Sequence, residues 1–451
     1  MKDLSFRCKA VVFCAMFASI NLLAQSLNPP VKLTLSEAID RALKNNHALL
    51  VAAAKVDEMK SAKRVAASDY FPRISEASTY EHHDQRDLLQ FGPGAFGTFP
   101  ILGPIPQTSL IVQQGSLDQI LSRTQASQPL TQLIKIHEAN KVAQAGLNAS
   151  RESLRSAQQQ IAIGVRQLYY GILIAQTQYE QAQAQVESAK EELAESSQAV
   201  TKGNALEVEE LGAKAAVLQA EQQQLKAQIE LSGLKADFDN LIGLPNASEV
   251  ELEYAAETAP SLPDKGECIR LAESGEPEIL AAEEEVKKVR SALAAARAEY
   301  IPDISAFYRH DYQDGIPFFF HNYDVVGVGL TYEVFTGGKK GNAIRERQAQ
   351  LTQAQENLAR LKDDAAVKVE KALDKVQQSK QLLAVAQQVI DLRKEGVRLA
   401  EVQLKYEAIV HSKLLSAEAS LAQSKVDLLR AELGYSEAVA EVQLSIGLLP
   451  R

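Results

Sequence analysis

The sharpest hydropathy pattern in the chain lies near its end. Leu414, Leu421, Leu428, Tyr435 and Val442 recur every seven residues, and three positions after each stand Ala417, Ser424, Ala431, Ala438 and Ser445. Large knobs offset from small holes at this repeat suit antiparallel coiled-coil contacts, so the pattern predicts a helix from about 410 to 447 that buries Leu428. All fifteen prolines avoid two windows, 130–244 and 318–449, both rich in Ala, Gln, Glu and Leu. Proline breaks helix interiors, so each window reads as a helical hairpin, apart from a short strand that opens the second. The first hairpin has a long arm near 135–200 and a shorter one near 205–242, broken at Lys202-Gly203-Asn204. The second has a long arm near 342–404, followed by the final helix. A helix of 65 residues is about 100 Å long, a rod rather than a globular element. Shorter helices, 35–69 and 266–299, open each half, the first with a Thr34/Glu37 capping box. An opening helix plus a shorter arm matches a long arm in length, which predicts that the two stack end to end along it.

Between opening helix and hairpin the period changes from helical to two. Val326, Val328, Leu330, Tyr332 and Val334 share one face of a strand over 324–335, with Gly327, Gly329, Thr331 and Glu333 on the other. An apolar face outward and a small or polar face inward is the pattern of a transmembrane β-strand. Its partner is expected over 302–311. The first half offers Arg73 to His82 and, with poorer alternation, Ser116 to Pro129, joined by a Gly/Pro-rich loop. No stretch beyond the N-terminus approaches eighteen apolar residues, so membrane entry requires strands. Four strands cannot close a barrel and open edges do not survive in lipid, so this reading demands at least a dimer.

The halves are duplicated. An offset of 230 aligns Glu37 with Glu267, Ala42 with Ala272, Tyr70 with Tyr300, Pro72 with Pro302 and Ile74 with Ile304. An offset of 204 aligns Ile242-Gly243-Leu244 with Ile446-Gly447-Leu448. The organisation expected is a signal peptide over 1–26, a first repeat over 27–245, a linker over 246–264 and a second repeat over 265–451.

Charge and composition refine the picture. Lys2, Arg7 and Lys9 precede a mostly apolar run from Ala10 to Ala24, and Ala24-Gln25-Ser26 offers a small-x-small cleavage site. The run is short for a spanning helix. Removing 1–26, with three basic and one acidic residue, leaves the mature chain near −12 against −10 overall. That balance excludes nucleic acid as a natural partner. Only Cys268 then remains of three cysteines, so there is no internal disulfide framework. Trp is absent and aromatics are 6%, which disfavours several compact globules.

With these elements in place, the chain resembles the TolC-like outer-membrane efflux family. Leu33-Thr34-Leu35-Ser36-Glu37-Ala38 with Ala42-Leu43-Lys44-Asn45-Asn46 resembles its opening helix. Tyr70-Phe71-Pro72 and Tyr300-Ile301-Pro302 resemble the start of its strands, and Val326 to Leu330 through Phe335-Thr336-Gly337-Gly338 the exit from its second strand pair. The resemblance implies a mainly α fold with membrane β. Duplicated long antiparallel hairpins form an α-barrel, and four strands per chain contribute to a twelve-stranded barrel shared by a homotrimer. It also implies the outer membrane of a Gram-negative bacterium, with an extension into the periplasm, and a passive duct in a tripartite efflux or type I secretion system. Small molecules or proteins would pass outward with a periplasmic adaptor and an inner-membrane pump as partners. The resemblance places the periplasmic tips that would contact the adaptor at Lys202, Gly203 and Asn204 and at Lys405, Tyr406 and Glu407. Glu209 and Glu210, just after the first tip, read equally as a constriction or as exposed coiled-coil charge. His47 stands where the family often has proline, which Pro277 keeps, and Ile409 stands where the second tip usually has glycine.

Other constellations carry less. In Glu81-His82-His83-Asp84 adjacent strand residues point to opposite faces, so the two histidines do not chelate together. Gly337-Gly338-Lys339-Lys340 lacks phosphate-loop spacing and reads as a strand-to-helix break. The sequence assigns no catalytic set, no metal site and no cofactor, so no enzyme is expected. The alternative function is a periplasmic coiled-coil adaptor or scaffold without a barrel; adaptors carry one hairpin, whereas this chain has two.

Overall fold

The structure, a computed structural model, describes residues 31–245, 250–253, 262–316, 320–406 and 408–448. The expected signal peptide, most of the 246–264 linker and Glu407 lie outside the described residues. The chain divides into two compact units, Met1–Val56 with Ser150–Ala281 and Ala359–Arg451, and Asp57–Ala149 with Ala282–Leu358. No described helix is long and apolar enough to cross a membrane.

The first unit is built on the helices α1 (Leu35–Asn45), the bulk of α3 (Leu133–Thr201), α4 (Glu207–Ile242), α5 (Lys265–Gly275), most of α7 (Lys339–Lys405) and α8 (His411–Ser445). Leu35, Ala38, Ile39 and Ala42 recur at helical spacing and form the buried stripe of α1. That stripe packs with Val165, Tyr169, Phe238 and Ile242 of α3 and α4. The capping box forms: the Thr34 N–H donates to Glu37 Oε2 at 3.0 Å and the Glu37 N–H to Thr34 Oγ1 at 3.3 Å. A short parallel pair, β1 (Val31–Leu33) with β8 (Val250–Leu252), was not expected from sequence. Each strand has three residues, too few to show a period. Tyr169 Oη lies 3.0 Å from the Leu33 carbonyl beside this pair.

The two opening helices are not continuous as expected. Each breaks in the extended region, at Asn46 (ψ 123°) before α2 (His47–Ser68), and at Glu276 (ψ 123°) before α6 (Pro277–Ala298). The two breaks are 230 residues apart, the repeat offset. In the second half the cause is Pro277, which disfavours helical angles in the residue before it and itself suits a first helical turn. In the first half Asn46 Oδ1 accepts the N–H groups of Ala48 and Leu49 at 2.9 and 3.3 Å, capping α2 by side chain instead. The shorter arms end against these breaks. Gly243 (φ +71°) abuts Asn45, and Gly447 (φ +80°) abuts Gly275 so closely that no Cβ fits. Glycine is required twice over, by the left-handed angle and by the approach.

In α8 four of the five small residues, Ser424, Ala431, Ala438 and Ser445, are buried, and Ala417 is half-buried. Leu414 and Val442 are buried too, and Leu421, Leu428 and Tyr435 are half-buried within a single chain. Small side chains let the neighbouring helix come close, which leaves the large ones at the flank of the contact.

In the second unit, β2 (Arg73–His82), β7 (Asp118–Pro129), β9 (Asp303–Asp314) and β10 (Asn322–Thr331) form one antiparallel sheet in the order β10-β9-β7-β2. These are the four expected strands. β10 stops at Thr331 rather than Phe335, because its partner β9 starts at Asp303, just after Pro302, and offers nothing further to pair. Within residues 83–117, expected as a plain loop, β3 (Asp87–Phe91) pairs with β6 (Leu110–Gln114), and β4 (Thr98–Phe99) with β5 (Gly103–Pro104). Val286, Leu293 and Leu351 pack between α6 and α7 in the same unit.

Candidate functional site

The first helical turn closes as a Schellman motif. The Asn204 N–H donates to the Ala199 carbonyl at 2.8 Å and the Gly203 N–H to that of Val200 at 2.9 Å, with Gly203 left-handed at φ +73°. Lys202 is the last residue held by a helical bond, to the Gln198 carbonyl. After Leu206 the chain re-enters helix at Glu207 without a side-chain cap, and Glu207, Glu209 and Glu210 complement the helix dipole in the first turn. Glu209 and Glu210 have different surroundings. Glu210 pairs with Lys214 one turn on at 2.8 Å, while Glu209 lines a groove between α3 and α4 with Glu192 and Glu195. Neighbours on a helix diverge, so the expected pair does not converge within one chain.

The second turn repeats the first at the 204 offset. Lys405 ends α7, the Tyr406 N–H reaches the Val402 carbonyl at 3.3 Å, and the Ala408 N–H reaches that of Gln403 at 2.9 Å. Tyr406 is 76% exposed, and Val410 occupies the cap position that Leu206, 70% exposed, holds in the first turn.

Sequence reasoning missed one residue here. Glu195, on α3, accepts the Ser412 N–H at 3.2 Å and the Ser412 hydroxyl at 2.7 Å. Its carboxylate therefore caps α8 from the other hairpin. No local pattern flags a cap supplied from 217 residues away. Also unforeseen are exposed apolar stripes at coiled-coil spacing: Leu211, Leu218 and Leu225 on α4, and Leu382, Val385, Val389 and Leu392 on α7.

The sheet has two unlike faces. Val326, Val328 and Leu330 of β10 lie on one, with Val326 81% exposed. By register they share it with Ile304, Ala306 and Tyr308 of β9, Ala126 of β7 and Ile74 of β2. The opposite face carries Gly327 beneath the Phe307 ring, and the buried Asp311 between Arg123 Nε and Arg309 Nε, each 2.6 Å away. Apolar outside and ionic inside is the division expected of a barrel wall around water. His82 and His83 go to separate partners, Asp118 and Glu81.

The family model for outer membrane efflux proteins matches residues 38–243 and 268–448. The alkaline protease secretion protein AprF of Pseudomonas aeruginosa is 24% identical over 349 residues, which cover 74% of this chain and 70% of that protein. Among solved structures, the Campylobacter jejuni CmeC outer membrane channel is 16% identical with a TM-score of 0.73, over 92% of this chain and 85% of that one. The Vibrio cholerae outer membrane protein VceC is 15% identical with a TM-score of 0.71, over 92% and 97%. At such identities the two structures speak for the fold.

Proposed function

Because the chain belongs to the outer membrane efflux protein family, a family of channels rather than enzymes, we propose that three copies assemble into one continuous duct. The observation that carries the proposal is the open sheet β10-β9-β7-β2. Its edge strands β2 and β10 have no further partner among the described residues, and its outer face carries an apolar band. In lipid such edges must be paired. Three copies give twelve strands, β2 of one chain completing β10 of the next. The apolar stripes of α4 and α7 supply matching seams between hairpins of neighbouring copies. The duct then lies in the outer membrane of a Gram-negative cell, with helices extending into the periplasm.

The two turns are the ends that meet a periplasmic adaptor, itself joined to an inner-membrane pump. Exposed Leu206, Tyr406 and Val410 beside Lys202 and Lys405 form an apolar contact rimmed by charge. The cargo class is small molecules or exported proteins; the name of AprF, a protease secretion protein, favours a protein. A separate adaptor role is disfavoured by the family match over both halves and by two hairpins in place of one.

The test is fractionation followed by unheated gel electrophoresis and planar-bilayer recording. Expected are a heat-sensitive trimer in the outer-membrane fraction and unitary conductance. Recovery as a monomer in the soluble periplasmic fraction overturns the proposal.

A further inference from the structure

The outward face of the sheet is not apolar throughout. One rung of it consists of Val326, Tyr308, Ala126 and Ile74. The next consists of Asp324, His310, Thr124 and Glu76, and the one beyond of Asn322, Tyr312, Ser122 and Ser78. Polarity changes between these adjacent rungs, with Gln128 beside Ala306 the polar exception on the apolar side and Ile120 beside Asp314 the apolar exception beyond the line.

The carboxylates beyond that line form built units. Asp324 Oδ1 accepts from Tyr308 Oη at 2.7 Å and lies 2.9 Å from His310 Nδ1. Asp118 Oδ1 accepts from Tyr80 Oη at 2.6 Å and lies 2.7 Å from His82 Nδ1. The same Tyr-x-His segment with a cross-strand Asp thus occurs once in each half. Between the two units, Glu76 accepts from the hydroxyls of Ser78, Ser122 and Thr124. All three carboxylate groups remain on the exposed surface.

We propose that the outer-leaflet boundary of the hydrocarbon runs between the Val326 rung and the Asp324 rung, and that these carboxylate units seat in the lipid headgroup layer. The inference rests on the barrel reading and adds its depth. Charged groups on a lipid-facing strand are tolerated at the interface and costly at the midplane. Tyrosines favour the level where an apolar ring body meets a wet hydroxyl, and Tyr308 sits at that seam with its hydroxyl turned to Asp324. On the other side of the line the apolar surface continues through Val328 and Leu330 to exposed Tyr332, Val334 and Phe335. The strand ends beyond the line, including His82, Asp118 and Asp314, then stand above the hydrocarbon with the hairpins of residues 83–117.

The chain contains no tryptophan, so single reporters are read without background. Val326→Trp and Tyr312→Trp trimers are reconstituted into vesicles whose lipids carry bromine deep in the acyl chains, and separately exposed to aqueous iodide. Expected are bromolipid quenching of Val326→Trp and its loss at Tyr312→Trp, which aqueous iodide reaches instead. Equal bromolipid quenching at both positions overturns the inference while leaving the barrel intact. So does a Tyr312→Trp signal reached by neither quencher, which means protein covers the rung. If Val326→Trp escapes bromolipid altogether, the barrel reading falls and the depth with it. Should Tyr312→Trp trimers not form, Asn322→Trp reports from the same rung.

Discussion

Replacing Glu195 by alanine tests whether the two hairpins are held together near their turns. The carboxylate takes both the N–H and the hydroxyl of Ser412, in the first turn of α8. A hydrogen bond to a charged group is worth about 1.5–3 kcal/mol net, and loss of a helix N-cap costs about 0.5–2 kcal/mol. Glu195 is only half-buried, so the lower values apply and the tie is worth about 1–2 kcal/mol. If it opposes separation of the hairpin ends, the separated state gains roughly five- to thirty-fold in population, since about 1.4 kcal/mol is tenfold. Two measurements check this. Amide exchange of residues 411–415 should accelerate by that factor, and planar-bilayer recordings should show longer dwell in the higher-conductance level. Glu195→Gln, which retains a neutral acceptor, should fall between. Unchanged exchange refutes the cap, and faster exchange with unaltered conductance refutes its part in holding the duct end.

Three further outcomes are expected. Phe238→Ala removes a fully buried ring from the α1–α3–α4 core and should lower stability by about 3–5 kcal/mol, seen as a lower thermal midpoint of the reconstituted protein; a midpoint unmoved within error contradicts the packing. Gly203→Val forces a β-branched residue to φ +73°, costing about 1–2 kcal/mol or more locally, so export should fall while trimer yield holds, and normal export would remove the turn from the functional surface. The Thr34 N–H, and after it the Thr34 hydroxyl, hold the Glu37 carboxyl below its usual value of 4.5; its contribution to stability is present above that value and is lost as pH falls through the lower folded value. Glu37→Gln should therefore flatten the loss of helicity on acidification below about pH 5, and an identical acid transition by circular dichroism counts against the capping box.

Long helices and duplicated order were legible because both are carried by periods longer than any local accident. Proline-free windows placed α3, α4, α7 and α8 within a few residues, and alternation placed β10. The breaks at Asn46 and Glu276 were not, although Pro277 was in view, since one proline at a helix start also fits an unbroken reading. Asn46 gave no signal at all, for an amide caps a helix only when the backbone presents its N–H groups. At the candidate site the turn at Gly203 was visible through glycine, whereas Glu195 was not, because a tertiary cap leaves no pattern along the chain. The Tyr308–Asp324–His310 unit escaped for the same reason: its members are joined by register rather than by sequence spacing.

The two matched bends are wired to different neighbours. Asn46 Nδ2 donates to the Leu241 carbonyl at 3.0 Å, so the first bend is fastened to the end of its short arm. Glu276 lies 3.1 Å from Lys368 Nζ, so the second, besides the packing of Gly447 on Gly275, is fastened by an ion pair to its long arm. A pull applied at the first turn travels down α4 directly into a bend, while one applied at the second enters through α7. Duplication has thus kept one hinge geometry and given it two mechanical linkages, so the halves of a single chain need not yield to the same force.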